Sequence, residues 1–444
     1  MEYEECPYCG KKISREEMKE HLEMHYEEMK EEEMKMLEEM KQQQKAVMED
    51  IKTANPELYI DFLNDLAKEG NREIKMLCAV EFISMDLVER AEEIFKEMLS
   101  EPDADVYNGL GICARRKGLY NDAIQYFMKA IEYGEIEVSS TNICDIYEEL
   151  GEFEKEEEFL KEMIQKYENG YLNAIYARAL LIIGRHKEAE DFARKAIQLG
   201  EEMEGYLQLA FALIMQGKND EAEKTLIEMK NKYPDKLQPY ILLANIYMDK
   251  GEEKAKEYLD EIYKKSRDPY VMEYLAISYM SLGEEEKAEK VLKEAIMLHN
   301  LPNFHLIYGA LLLDKGEDAK KEFLKALELS PTLNTYVKIA DIYLGANDYE
   351  NARKFVEIAE SKFGKDEILY CIKGDISFQE KNYEDAIEEY KKSLMLGENI
   401  DAYIGLIRSY KELNEKEKAL EICKKAIEIF EDEELYELLK ELGG

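Results

Sequence analysis

The sequence predicts an all-α protein, a solenoid of helix–turn–helix units. Three observations carry that prediction. Alanines recur about every 33 residues, apolar residues surround each alanine at helical spacing, and glycines recur with the same period between the helices. The alanines are Ala91, Ala123, Ala189, Ala222, Ala255, Ala288, Ala319, Ala352, Ala386 and Ala419. One interval is a double period, and Glu156 occupies the vacant position. A period sustained along most of a chain marks a repeat protein, whose units bury their apolar faces by stacking on their neighbours.

Each alanine opens the apolar stripe of one helix. Four residues on stand Phe95, Phe127, Leu160, Leu226, Leu259, Leu292, Phe323, Val356 and Tyr390. Seven residues on stand Ala130, Ala196, Ala295, Ala326, Ala359 and Ala426. Offsets of zero, four and seven lie on one face of an α-helix. A second stripe precedes it, as in Tyr107-Leu110-Gly111, Tyr206-Leu209-Ala210, Tyr240-Leu243-Ala244-Tyr247 and Tyr336-Ile339-Ala340-Tyr343. Its small residue lets the paired helix come close. Between the two stripes sit Gly118, Gly151, Gly184, Gly217, Gly251, Gly283 and Gly316, with Asn347 and Asn414 in the later units. These residue types accept the left-handed conformation that ends a helix. Pro102, Pro234, Pro239, Pro269, Pro302 and Pro331 fall between units, outside the helix interiors that proline would break.

Tyr107, Leu110, Gly111, Gly118, Tyr120, Ala123, Phe127 and Ala130 together resemble the tetratricopeptide repeat, with tyrosine at the family's usual first tryptophan. The resemblance covers residues 72–431, about eleven repeats. It implies a right-handed α-solenoid in which the first helix of each pair lines a groove that holds part of a partner protein. Residues 55–71 read as a capping helix, begun by Asn55-Pro56 and carrying Tyr59, Phe62, Leu63 and Leu66 on one face. Residues 432–444 read as a second cap, with Leu435, Leu438, Leu439 and Leu442. Both ends are expected to be finished solenoid ends.

Ahead of the solenoid, Cys6, Cys9, His21 and His25 follow the spacing C-x2-C-x11-H-x3-H. Two cysteines on a tight knuckle and two histidines one helical turn apart can close a tetrahedron, a donor set suited to Zn²⁺. Residues 1–27 resemble a two-Cys two-His zinc finger, which implies one structural zinc on these four ligands. Four protein ligands leave no open position for catalysis. So small a core does not fold without the metal. The positions that read bases in such fingers would be Ser14, Glu16, Glu17 and Glu20, and glutamates repel phosphate. Residues 28–54 read as an acidic, Met-rich helical linker, a solvated rod first of all, with Met29, Met36, Leu37, Met40 and Met48 as the alternative offering a face for a partner or for self-association.

The chain sets 60 Lys and Arg against 99 Asp and Glu, a net charge of −39. That field excludes wholesale binding to nucleic acid or to an anionic membrane. No run approaches the ~18 uncharged apolar residues that span a bilayer. The acidic start is not a secretory signal. Of seven cysteines, Cys78, Cys113, Cys144, Cys371 and Cys423 stand singly in apolar helical surroundings. They read as buried thiols of a reducing cytosol, so a cytoplasmic location is expected.

No serine or cysteine lies in a nucleophile-elbow context, and the glycines are turn glycines. Acidic runs such as Glu156-Glu157-Glu158 read as solvated faces. An enzyme is not expected. By the register of the repeat, the inward residues of the central units include Tyr171, Arg178, Leu207, Phe211, Ile214, Met215, Ile241, Met248, Tyr270, Ile277, Met280 and Leu306. This face is poorer in charge than the chain as a whole, as a groove for an apolar peptide would be. The lysine and arginine clamp that holds acidic chaperone tails in some relatives is incomplete, since the inner face offers Asn108, Arg115, Arg116 and Arg178 but no matching lysines, and Asp145, Glu148 and Glu149 follow. The expected function is a protein–protein interaction scaffold. The alternative is a regulator that acts on transcription or nucleic-acid machinery through the finger and acidic helix.

Overall fold

A computed structural model describes residues 3–5, 12–14, 52, 55–251 and 253–443. Within them are 24 helices, from Pro56–Glu69 to Glu433–Glu441. The chain divides into two compact units, Met1–Gly205 and Tyr206–Gly444. Between Arg72 and Ile429 the helices follow one another in pairs, each pair joined by a tight turn. The all-α expectation therefore holds from Pro56 onward. Near the N-terminus the structure adds two short strands, Tyr3–Glu5 and Lys12–Ser14, paired antiparallel with Glu4 opposite Ile13.

The turns explain why each pair folds back. Gly118 has φ +73°, and the backbone N–H of Leu119 donates to the Ala114 carbonyl at 2.9 Å. That bond closes the helix end around a left-handed residue. The same bond recurs from Glu152 to Tyr147 and from Glu415 to Tyr410. Asn347 and Asn414 adopt the same conformation, at φ +60° and +59°. Asp86 and Lys381, at φ +61° and +64°, do so too and were not foreseen, Lys381 because lysine has no leaning to this conformation and Asp86 although aspartate tolerates it.

First helices of the pairs mostly start on a side-chain cap. Asp103 accepts from the Val106 N–H, Asn169 from Leu172 and Asn399 from Ala402. Second helices such as Tyr120–Glu132 and Lys416–Ile429 have no such cap and rely on the preceding turn.

The repeat positions form the core. Nine of the ten periodic alanines are fully buried and Ala319 is 1% exposed. Phe127, Leu160, Leu226, Leu259, Leu292, Phe323 and Val356 are fully buried beside them. A Cβ on Gly111 would lie 2.5 Å from the Phe127 ring, so this small residue is what lets the ring seat on its partner helix. The helix Pro56–Glu69 buries Tyr59, Leu63 and Ala67. Phe62, expected on that face, is instead 43% exposed, because the buried stripe runs through Ala67. The helix Glu433–Glu441 buries Leu435 and Leu438.

The run Glu156-Glu157-Glu158 is not a solvated face. Glu156 is 1% exposed, because it stands at an alanine position of the repeat. Glu157 is half-buried and bonded to Lys161, Arg185 and the Tyr176 hydroxyl at 2.7, 2.6 and 2.9 Å. Only Glu158 is exposed. No described helix is long and apolar enough to cross a membrane.

Candidate functional site

In the second unit the helices Pro269–Ser281, Pro302–Asp314 and Leu333–Gly345 line a cleft of about 420 Å³. These first helices are apolar on two faces. One face enters the core, as Leu275, Ala276 and Tyr279 do in the helix Pro269–Ser281. The other is left open, with Tyr270 83% and Ile277 51% exposed. Ile277 and Met280 line the cleft from the first of these helices, Leu306 and Ala310 from the second, and Asp341 and Ile342 from the third.

Of the inward residues expected from the sequence, the cleft brings together Ile277, Met280 and Leu306. Leu306 is buried, whereas Leu207, Phe211, Ile214, Ile241 and Met248 are half-buried and Met215 is 59% exposed. Those six, and Tyr270, are outside the cleft's lining. In the first unit Tyr171 is half-buried with its hydroxyl 3.2 Å from that of Thr141. Arg178 is bonded to Asp145 and Glu148 at 3.3 and 3.0 Å. Lys338, Asp341 and Ile342 were missed by the sequence reading, which stopped at Asp314. The signal was present, since Asp341 follows Ala340 as Ile277 follows Ala276.

Charge on this face differs along the chain. Arg115 is bonded to Glu149 and lies 3.5 Å from Asp145, so the first unit neutralises its own acids. Its cations are thereby taken up, which further disfavours a clamp for acidic tails. In the second unit the Asp341 carboxyl is pushed up to about 6, by the groove walls that withhold water and then by the negative charge of Asp375 and Asp401. Asp341 is exposed by area, and the shift comes from its place in a concavity. Asp375 is also pushed up to about 6, by burial, and accepts the Tyr390 hydroxyl at 2.7 Å.

His305 and five of the cysteines are packed into the fold. His305 is buried, with Nδ1 2.7 Å from Glu322 and Nε2 3.0 Å from Asn300. The thiols of Cys78, Cys113, Cys144, Cys371 and Cys423 are all buried. Burial raises each of them, Cys113 to about 11, which removes the thiolate that nucleophilic chemistry needs. Among the described residues no three His, Cys, Asp or Glu side chains are grouped to hold a metal ion. Cys6, Cys9, His21 and His25 lie outside the described residues.

Models of the tetratricopeptide repeat match residues 104–133, 204–236, 337–400 and 377–442. A TPR repeat-containing protein of Methanocaldococcus jannaschii is 25% identical over 287 residues, 51% of this chain and 50% of its own. The chain thus spans about half the length of the curated relative it matches. Among solved structures, a tetratricopeptide repeat protein from Parabacteroides merdae is 21% identical, with a TM-score of 0.36. It covers 55% of this chain and 100% of its own. Yeast Tom70 is 15% identical, with a TM-score of 0.40, covering 86% and 95%. The Cut9–Hcn1 hetero-tetramer of the APC/C is 11% identical, with a TM-score of 0.30, covering 87% and 92%. Likeness at these TM-scores says nothing about function.

Proposed function

We propose that this chain, which carries tetratricopeptide repeats, is a non-enzymatic interaction scaffold that holds a peptide or helix of a partner protein. The observation that carries this reading is the open apolar face of the first helices, with Tyr270 and Ile277 exposed beside a cleft of about 420 Å³. Large apolar side chains left open in a concave surface mark binding sites. On this reading the 22 helices from Arg72 to Ile429 make eleven repeats, and Phe211 belongs to the same face. Its half-burial is what a groove residue shows. Phe211→Ala should weaken partner capture roughly thirtyfold while the melting temperature stays nearly unchanged. A melting temperature that falls steeply, with capture intact, would show Phe211 to be core and the site to lie elsewhere. Glu157 is unsuitable as a surface control, being ion-paired. Glu158→Lys is the appropriate one.

The N-terminal module we propose to be stabilised by one structural zinc on Cys6, Cys9, His21 and His25. The antiparallel pairing of Tyr3–Glu5 with Lys12–Ser14 supports this, because Cys6 and Cys9 stand in the sequence between the two strands. Purified protein should carry one zinc per chain. Cys6→Ser with Cys9→Ser should lose it and keep the helical signal of the repeats. Freshly purified protein free of zinc by elemental analysis would end the assignment. The partner we propose to be protein rather than nucleic acid, since a net charge of −39 repels phosphate. Five buried thiols support a reducing, cytoplasmic location.

A further inference from the structure

The second unit's groove changes character along its length. Its first part is mostly apolar, built on Ile277, Met280, Leu306 and Ile342, with Glu273, Asn303 and Lys338 also in its lining. Its next part is acidic, with Asp341, Asp375 and Asp401 on three successive first helices. We propose that this groove takes a partner segment of matching polarity, a short apolar stretch followed by lysine or arginine. The proposal rests on the reading of the groove as a peptide site, and names the chemistry of its occupant.

Charge complementarity decides the occupant. Asp341 follows the small residue Ala340 of its repeat, and Asp145 follows Cys144 at the same register position. In the first unit Arg115 and Arg178 bond to Asp145 from the flanking first helices. In the second unit no cation among the described residues bonds to the corresponding carboxylates, although Arg408 on the next first helix is near enough to lower Asp375. Among the described residues Asp341, Asp375 and Asp401 form no ion pair. Lys338 shares the cleft lining but is not bonded to Asp341, and Arg408 is engaged by Glu434 at 2.5 Å. The Asp341 carboxyl, raised by its surroundings and then by the charges of Asp375 and Asp401, is relieved by an incoming cation. The three do not close around a point as an ion site would, since no metal-holding group exists among the described residues. Spread over successive helices, they suit an elongated ligand.

The spacing can be stated. First helices of successive pairs pack side by side, at about 9 Å. Two steps separate the helix of Leu306 from that of Asp375, hence roughly 18 Å. An extended segment rises ~3.3 Å per residue, so the cation stands about five or six residues beyond the apolar stretch.

The test uses the full chain and two fluorescein-labelled nonapeptides with amidated C-termini. One reads Leu-Ile-Ala-Leu-Gly-Ser-Gly-Lys-Arg and its twin ends in Glu-Asp. By fluorescence anisotropy the basic peptide should bind about tenfold tighter or more than the acidic twin. Asp341→Asn with Asp375→Asn should erase that preference. Removing charge from crowded carboxylates leaves the melting temperature unchanged or higher, so the variant stays folded. Ile277→Ser should weaken both peptides. Equal binding of the twins, with both weakened by Ile277→Ser, would overturn the charge rule and leave the groove reading standing. Binding of neither peptide, or binding indifferent to Ile277→Ser, would overturn both.

Discussion

Glu156 shows what one residue costs when it breaks the repeat. Its neighbours in register are alanines, and it brings a carboxyl to a site that is 1% exposed, with Oε1 lacking a hydrogen bond. Burial, then the nearby Glu148, pushes that carboxyl from 4.5 up to about 7. The folded state therefore favours the protonated form. Its contribution to stability is full below pH 4.5, declines as pH rises, and is lost above about 7. A shift of this size corresponds to about 3 kcal/mol. Glu156→Gln should match wild type at low pH and exceed its stability by up to that amount at pH 8, measured by urea unfolding. A difference that is flat across pH would show the carboxyl to be hydrated in the fold.

At the scale of elements, caps and turns carry the architecture. Asp432 accepts from the N–H groups of Glu434 and Leu435 at 2.9 and 3.3 Å. That cap holds the helix Glu433–Glu441 against Leu406 and Cys423 in one core. Asp432→Ala should cost about 1 kcal/mol. It should appear as earlier proteolysis within residues 433–443, and unchanged cleavage kinetics would refute the role. Much of this was legible in the sequence, because alanine period, bulky residues at offset four and turn glycines all report on backbone geometry. What escaped was set by neighbours. Lys381 was unreadable as a left-handed turn because lysine has no preference for that conformation. Glu157 looked like one of three surface acids, and although Lys161 stands one turn along its own helix, Tyr176 and Arg185 come from elements further along the chain. The cleft was half legible. Ile277, Met280 and Leu306 followed from register, whereas the acidic side required extending the same register past Asp314 and knowing which carboxylates lack cations.

Over the whole molecule, a net charge of −39 opposes compaction by self-repulsion. Salt screens exposed charges beyond the Debye length, about 10 Å at 0.1 M. Raising sodium chloride from about 0.05 to about 0.5 M should therefore raise the melting temperature. The same change should loosen a basic partner segment from the acidic part of the groove, so stability and affinity should move in opposite directions. A melting temperature that fell with salt would mean that the many short ion pairs outweigh the repulsion.

The five buried thiols also make the chain its own clock of local opening. Cys78, Cys113 and Cys144 sit in successive first helices of the first unit, and Cys371 and Cys423 in a first and a second helix of the second. Each is sealed and deprived of its thiolate while its helix stays packed, so a disulfide reagent can reach it only through a transient breach. With Cys6 and Cys9 replaced by serine, the labelling rate at each cysteine would time the breathing of its own repeat. Repeats that slow when a peptide is added would identify where it binds, without any probe having been introduced.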